Sequence, residues 1–215
     1  MSYLTDRKQQ VEIEHYQNNT EIKVRSNIQE TKSGIPQGSV LGPLLFLIYI
    51  NSFPSILSGE RIGILFADDT TVISPVETDE KEEAEKAFYE ASLFCDTINL
   101  QINKSKTVHI TFTPNQPKPP ENVHHGNINE VTTTKFLGIT LDSQLSWNSH
   151  IEILHKRLSS ALFALRRIRS LTNKTTARKA YHALFESHLQ FGIITWGSGA
   201  QTQLQEIFTL QKKCY

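Results

Sequence analysis

The chain has only two cysteines, Cys95 and Cys214, among 215 residues. They stand far apart and match no metal-ligand spacing. That excludes a disulfide-stapled scaffold and a cysteine-built zinc site, and it points to reduced thiols in an intracellular protein. Excess charge of either sign is also missing: the formal net charge is zero, so bulk charge does not mark a nucleic-acid binder. No apolar run reaches the roughly 18 residues of a membrane span. The longest, Val40–Ile50, has eleven residues and contains Gly42 and Pro43. The opening Met1-Ser2-Tyr3-Leu4-Thr5-Asp6-Arg7-Lys8 lacks the apolar stretch of a secretory signal. The expectation is an intracellular protein, not secreted and without a membrane partner.

What is present is segregated. Glu77 to Glu90 holds seven acids and two lysines, whereas Ile151 to His182 holds eight Lys/Arg and the single acid Glu152. An acid-rich start suits a helix dipole. A basic carboxy-terminal stretch fits either a solvated helical face or a polyanion partner. Hydrophobic residues make up 38%, enough for a real core.

Periodicity divides the chain in two. Gln10–His15 and Glu21–Ile28 alternate around the turn-forming Gln17-Asn18-Asn19 and predict a hairpin. Val40–Asn51 predicts a buried helix with Pro43 in its first turn and Pro54 beyond its end. Ile62–Phe66 and Thr70–Ile73 predict a second, tight hairpin with Ala67-Asp68-Asp69 at its tip. A helix follows over Thr78–Asn99, with Ala84, Ala87, Phe88, Ala91, Cys95 and Ile98 as its apolar stripe. Thr107–Phe112 and Lys135–Leu141 read as strands, and the proline-rich Pro114–Pro120 reads as a loop. Helical periods begin at Ile151, near Ala177 and near Gln201. The sequence is therefore α+β over residues 1–142 and all-α over 143–215.

The chemistry centres on Asp68 and Asp69. Aspartate is common in turns for structural reasons alone. Two carboxylates pinned between apolar strands are also hard oxygen ligands for Mg²⁺, and phosphoryl transfer uses such ions on the attacking and departing oxygens. Upstream, Gly34 and Gly38 in Gly34-Ile35-Pro36-Gln37-Gly38 remove the Cβ atoms that would hinder a ligand. Gln37 supplies both a donor and an acceptor.

Phe66-Ala67-Asp68-Asp69 resembles the aromatic-x-Asp-Asp signature of the reverse transcriptases of non-LTR, jockey-like or LINE-type retrotransposons. Gly34 to Phe46 is similar to their Pro-Gln-Gly motif. Leu100-Gln101-Ile102-Asn103-Lys104-Ser105-Lys106-Thr107 is similar to their Leu-x-Leu-Asn-x-x-Lys-Thr segment. Phe136-Leu137-Gly138-Ile139 resembles their primer grip, and Leu145-Ser146-Trp147, His150-Ile151 and Trp196-Gly197 follow in the same order. The resemblance runs from about Ser2 to the last residue.

The resemblance implies part of a right-hand polymerase: most of a palm over 1–142, then a helical thumb over 143–215. Asp68 and Asp69 would hold Mg²⁺ or Mn²⁺, and Lys106 would neutralise or protonate departing pyrophosphate. Gly34, Pro36, Gln37, Gly38, Phe66 and Ala67 would shape the nucleotide and template pocket. Phe136, Leu137 and Gly138 would hold the primer end, and Lys156, Arg157, Arg166, Arg167 and Arg169 would contact duplex phosphates. Partners would be an RNA template, a DNA primer and deoxynucleotide triphosphates, in a nuclear and cytoplasmic ribonucleoprotein. The family's third metal aspartate, in an earlier Asp-x-x-x-Ala-Phe-Asp strand, has no counterpart here, nor do the fingers. The expectation is therefore an inactive piece unless a separate palm and fingers segment completes it. The alternative is a nucleic-acid-binding remnant with no catalysis.

Overall fold

The computed structural model describes residues 5–17, 20–32, 34–36, 38–76, 80–113, 124–125 and 128–214. The chain forms two compact units, Met1–Ile73 and Ser74–Tyr215. Both are mixed, with antiparallel hairpins and helices, in line with the α+β expectation.

The first unit begins with β1 (Lys8–Gln9), β2 (Glu12–Gln17), β3 (Thr20–Arg25) and β4 (Gln29–Glu30). The alternating segments pair as a hairpin, with Ile13 opposite Val24 and His15 opposite Ile22. Its ends are drawn together where β1 pairs antiparallel with β4. Lys23 lies between Glu14 and Glu21, and Arg25 pairs with Glu12 across the strands. These pairs are solvent-exposed and contribute little to stability. They do favour this register, because a one-residue slip would set Glu12 and Glu14 opposite Val24 and Ile22 and lose both pairs.

Helix α1 (Leu41–Ile50) forms where predicted. Its expected burial is not realised: Leu41, Leu44, Leu47, Ile48 and Tyr49 are exposed, and only Gly42 and Ile50 are buried. A helix apolar on every side has no polar face to offer water, and two-stranded sheets of this size cannot enclose it. A 3₁₀ turn at Phe53–Ile56 follows, with Phe53 buried. β5 (Ile62–Phe66) packs on that turn. A Cβ on Gly63 would come within 3.3 Å of the Pro54 backbone, so glycine there permits the approach. β6 (Asp69–Ile73) closes the second hairpin.

The second unit opens with α2 (Glu80–Thr97), whose first turn carries Glu80, Glu82 and Glu83. The predicted apolar stripe is half-buried, and the residue that reaches the interior is Phe94. The predicted strand over Thr107–Phe112 contracts to β7 (Val108–His109). β8 (His124–His125) and β9 (Ile128–Glu130) complete a three-stranded sheet in which β9 is central, parallel to β7 and antiparallel to β8. The loop expected over 114–120 and the helix start expected at Thr78 lie outside the described residues. Lys135–Leu141 is not one strand. It is a hairpin of β10 (Thr133–Phe136) and β11 (Ile139–Asp142) that turns at Leu137-Gly138.

Helices fill the rest: α3 (Asn148–Leu171), α4 (Lys174–Tyr181), a π turn at His182–Glu186, α5 (Ser187–Gln190), α6 (Ile193–Trp196) and α7 (Gln201–Lys212). Ile151, Leu154, Leu158, Ala161, Leu162 and Leu165 recur at helical spacing on α3. They meet Phe185, Trp196, Ile207 and Leu210 in the main core. The position between 142 and 143 lies inside this unit, because α3 packs directly on β11. Leu158 has no exposed surface. Leu158→Ala is expected to destabilise the chain by about 3 kcal/mol, measured as a lower urea midpoint with an unchanged slope.

Candidate functional site

The aspartates occupy a two-residue turn. Phe66 and Asp69 form the last cross-strand pair, which leaves Ala67 and Asp68 as the central residues. Asp68 therefore sits in the turn, and Asp69 is the first residue of β6 instead of a second tip residue. Ala67 takes φ +52°. Positive φ at the first central position matches a II′-like hairpin, where glycine is usual. For an L-residue the left-handed region costs about 1–2 kcal/mol, and strain of this kind concentrates at functional sites. Phe66, Ala67, Asp68 and Asp69 are all exposed. Among the described residues neither carboxylate has a hydrogen-bond or ion-pair partner. Nor does any group of three or more His, Cys, Asp or Glu side chains gather anywhere among them.

In the same unit, the loop before α1 is folded onto the helix start by Ser39. Its hydroxyl donates to the Pro36 carbonyl at 2.9 Å and accepts from the Gly42 N–H at 3.0 Å. A Cβ on Gly42 would approach the Ser39 Oγ to 2.8 Å, so this cap requires glycine. Gly34 and Gly38 adopt φ +76° and +79° with open space beside them. They supply backbone conformation and leave room next to the chain. Arg7 donates to the Gly34 carbonyl. Pro36 is half-buried, and Gln37 lies outside the described residues.

Three further groups belong to the second unit. Asn103 organises the Asn-x-x-Lys-Thr segment: its carbonyl accepts from the backbone N–H groups of Lys106 and Thr107 and from the Thr107 hydroxyl. Its side chain accepts from Ser105. Lys106 is thereby held on a closed turn with its side chain exposed.

The hairpin that carries Phe136, Leu137 and Gly138 turns with φ +45° at Leu137 and +91° at Gly138. Positive φ at both central residues defines a I′ turn. A Cβ on Gly138 would come within 2.9 Å of the Phe191 ring, and one on Gly192 would come within 2.5 Å of Ile139. The hairpin is seated on this corner by two glycines, one from each side.

The proposed phosphate contacts do not form one stripe. All five are exposed on α3. At 100° per residue, Lys156 and Arg167 lie opposite the core face, whereas Arg157 and Arg166 lie on its two flanks. Arg169 sits in the last turn, where a cation suits the helix dipole.

Residue reading alone did not anticipate the role of Asp142. It is 3% exposed, and its carboxylate accepts from the N–H groups of Gln144, Ser146 and Trp147 and from the Ser146 hydroxyl. This holds a strained turn, with Leu145 at φ +52° and Trp147 at +64°, directly before α3. An aspartate followed by serines ahead of a helical period is a capping signal that could have located it. His150 is also buried. Its Nδ1 accepts from the Thr140 N–H at 3.3 Å, which ties α3 to β11. Burial, and then the nearby Arg157 cation, lower the His150 pKa. Trp196 fills the core and donates its indole N–H to the Phe191 carbonyl at 2.8 Å. The Trp-Gly and His-Ile spacings noted in the sequence are thus structural ties within this unit.

The fold is α+β, and an exposed Asp-Asp turn stands in the same unit as a glycine-bearing loop capped onto a helix. That combination is one a nucleotidyl-transfer domain can use. The family model for reverse transcriptase (RNA-dependent DNA polymerase) matches residues 3–141, and the chain belongs to that family. It is 30% identical over 193 residues to a probable RNA-directed DNA polymerase from transposon X-element of Drosophila melanogaster, covering 84% of this chain and 21% of that protein. It is 31% identical over 207 residues to the RNA-directed DNA polymerase from mobile element jockey of Drosophila funebris, covering 88% and 22%. A probable RNA-directed DNA polymerase from transposon BS of Drosophila melanogaster is 26% identical over 199 residues, covering 85% and 22%. The chain is homologous to these non-LTR retrotransposon reverse transcriptases and spans under a quarter of the length of each of these three. No solved structure matches it. Among the described residues, no helix is long and apolar enough to cross a membrane.

Asp142→Ala leaves buried N–H donors without an acceptor, each costing about 1–3 kcal/mol. The expected result is a loss of about 3 kcal/mol or more in urea unfolding, with earlier amide exchange in Gln144 to Ile151.

Proposed function

We propose that this chain is the palm-to-thumb portion of an RNA-directed DNA polymerase, with residues 1–142 serving as palm and 143–215 as thumb. The observation that carries the reading is the Asp68–Asp69 pair, held out on a two-residue turn with no partner among the described residues. In the intact enzyme, a primer 3′-hydroxyl attacks the α-phosphate of an incoming deoxynucleotide opposite an RNA template, and pyrophosphate leaves. The chain's own groups divide that work. The loop of Gly34, Pro36, Gln37 and Gly38, with Phe66 and Ala67, shapes the nucleotide and template pocket. Lys106 neutralises charge on the leaving phosphates. Phe136, Leu137 and Gly138 position the primer end, and the α3 cations hold backbone phosphates.

The residues fit Mg²⁺, or Mn²⁺, in part. Mg²⁺ is commonly held by one or two carboxylates, with water and substrate phosphates completing its shell, and Asp68 and Asp69 supply that. A second ion needs a further carboxylate, and none joins them among the described residues. The bound ions would stabilise charge on the attacking and departing oxygens. We therefore propose that this chain alone does not extend a primer, and that a palm and fingers segment elsewhere in a longer polypeptide would complete the site.

The exposed α3 cations support a second reading, a nucleic-acid-binding module without catalysis. Purified chain, incubated with an RNA template, a DNA primer, deoxynucleotides and either Mg²⁺ or Mn²⁺, is expected to give no extension. It is expected to bind the template–primer with affinity that falls steeply with salt. Extension that vanishes in Asp68→Asn would show a complete site and contradict the inactivity. Absence of any duplex binding would defeat both readings.

A further inference from the structure

Between the Leu137-Gly138 hairpin and α3 lies a pocket of about 100 Å³, where Gly138 and Arg157, already given functional roles above, are joined by Lys135, His150 and His188, which have none. At about 30 Å³ per water, it has room for roughly three waters. Its polar lining is one-signed. Lys135 comes from β10, Arg157 and His150 from α3, and His188 from α5, and no acid lines it. Among the described residues neither Lys135 nor Arg157 makes an ion pair.

His150 is the buried member, 6% exposed. A backbone N–H can only donate, so the bond from Thr140 makes Nδ1 the acceptor and places the neutral ring's proton on Nε2. The ring thus presents a donor, and its orientation is set by β11. Trp196 supports it, with ring centroids 6.0 Å apart. Two free cations, a fixed imidazole N–H and a second histidine converge on one cavity that offers no anionic group of its own.

We propose that this pocket is an anion site that takes one backbone phosphate of a bound nucleic acid, gripping it between the hairpin and α3. Lys135 and Arg157 neutralise the phosphate, and the His150 Nε2–H donates to an oxygen. Burial keeps His150 neutral, so it contributes a hydrogen bond where the two cations contribute charge. The proposal rests on the nucleic-acid-binding reading for the choice of phosphate source, although the pocket chemistry would also accept free phosphate.

The test uses the full chain and two probes: a fluorescein-labelled RNA–DNA duplex followed by anisotropy, and inorganic phosphate followed by ³¹P line broadening. Arg157→Gln and Lys135→Gln alter exposed side chains, and circular dichroism checks that both variants fold. Lys213→Gln, an exposed cation near the end of the chain, is the reference. Each pocket variant is expected to weaken duplex binding about tenfold and to reduce the log–log salt slope by about one, with Lys213→Gln within about twofold of wild type on the same scale. Loss of duplex binding without phosphate broadening supports a backbone phosphate as the ligand. Phosphate broadening abolished by Arg157→Gln, with duplex binding unchanged, supports the anion site and overturns the nucleic-acid source. If both pocket variants behave as Lys213→Gln does with both probes, the pocket proposal is overturned. If wild type binds phosphate through Arg157 but binds no duplex, the functional reading fails while the anion site stands.

Discussion

A hairpin that reverses in two residues leaves no freedom in what it presents. Once Phe66 pairs with Asp69, Ala67 and Asp68 must make the turn, and Ala67 is driven to φ +52°. That strain is balanced by the apolar strands on either side, whose register the turn in turn dictates. The consequence is positional. Asp68 and Asp69 emerge from a two-residue connection, and both are exposed with no partner among the described residues. A longer, looser turn would relieve the strain and blur the spacing on which a shared metal ligand depends. The same device recurs at Leu137-Gly138, where a leucine is held at φ +45°.

The second hairpin depends on what lies beneath it. Asp142, at the end of β11, gathers three backbone N–H groups and a hydroxyl, and so converts the strand into the start of α3 within a few residues. His150 then returns a bond to Thr140. The Phe191–Gly192 corner receives Gly138 and Ile139. Hairpin and helix are therefore one mechanical body, anchored in the core around Leu158, Phe185 and Trp196. The proposed primer-positioning hairpin and phosphate-contacting helix, built this way, would move together. The pocket between them is where a single phosphate could report on both.

Much of this was legible in the residues. Alternation located the first hairpin of the first unit, two short apolar, β-branched runs located the second, and helical spacing located α1, α2, α3 and α7 to within a few residues. The Phe-Ala-Asp-Asp run and the ordered matches around it pointed to the family that the comparisons establish. Other features were not legible, for physical reasons. Periodicity gave α1 as buried because its residues are apolar, but burial depends on what surrounds a helix, which its own sequence does not contain. Lys135–Leu141 read as one strand from its residues because Leu137 is a poor turn residue, whereas the primer-grip resemblance implied a hairpin there, and the structure seats Gly138 of that hairpin against Phe191. The role of Asp142 was hidden because its four acceptor contacts are local geometry, invisible in composition. The cations of α3 read as one basic stretch, but a 3.6-residue period distributes them around the helix.

The proposed divalent-ion site depends on the turn that presents Asp68 and Asp69. Acids alone do not make such a site, since α2 carries more of them along an exposed face. Paramagnetic broadening of backbone amide signals during a Mn²⁺ titration separates these cases in one spectrum. The amides of Ala67, Asp68, Asp69 and Thr70 are expected to broaden first, and Asp68→Asn to remove this early phase. Broadening that begins along Glu80 to Glu90, with the Ala67–Thr70 signals sharp to the end, would contradict the proposed site.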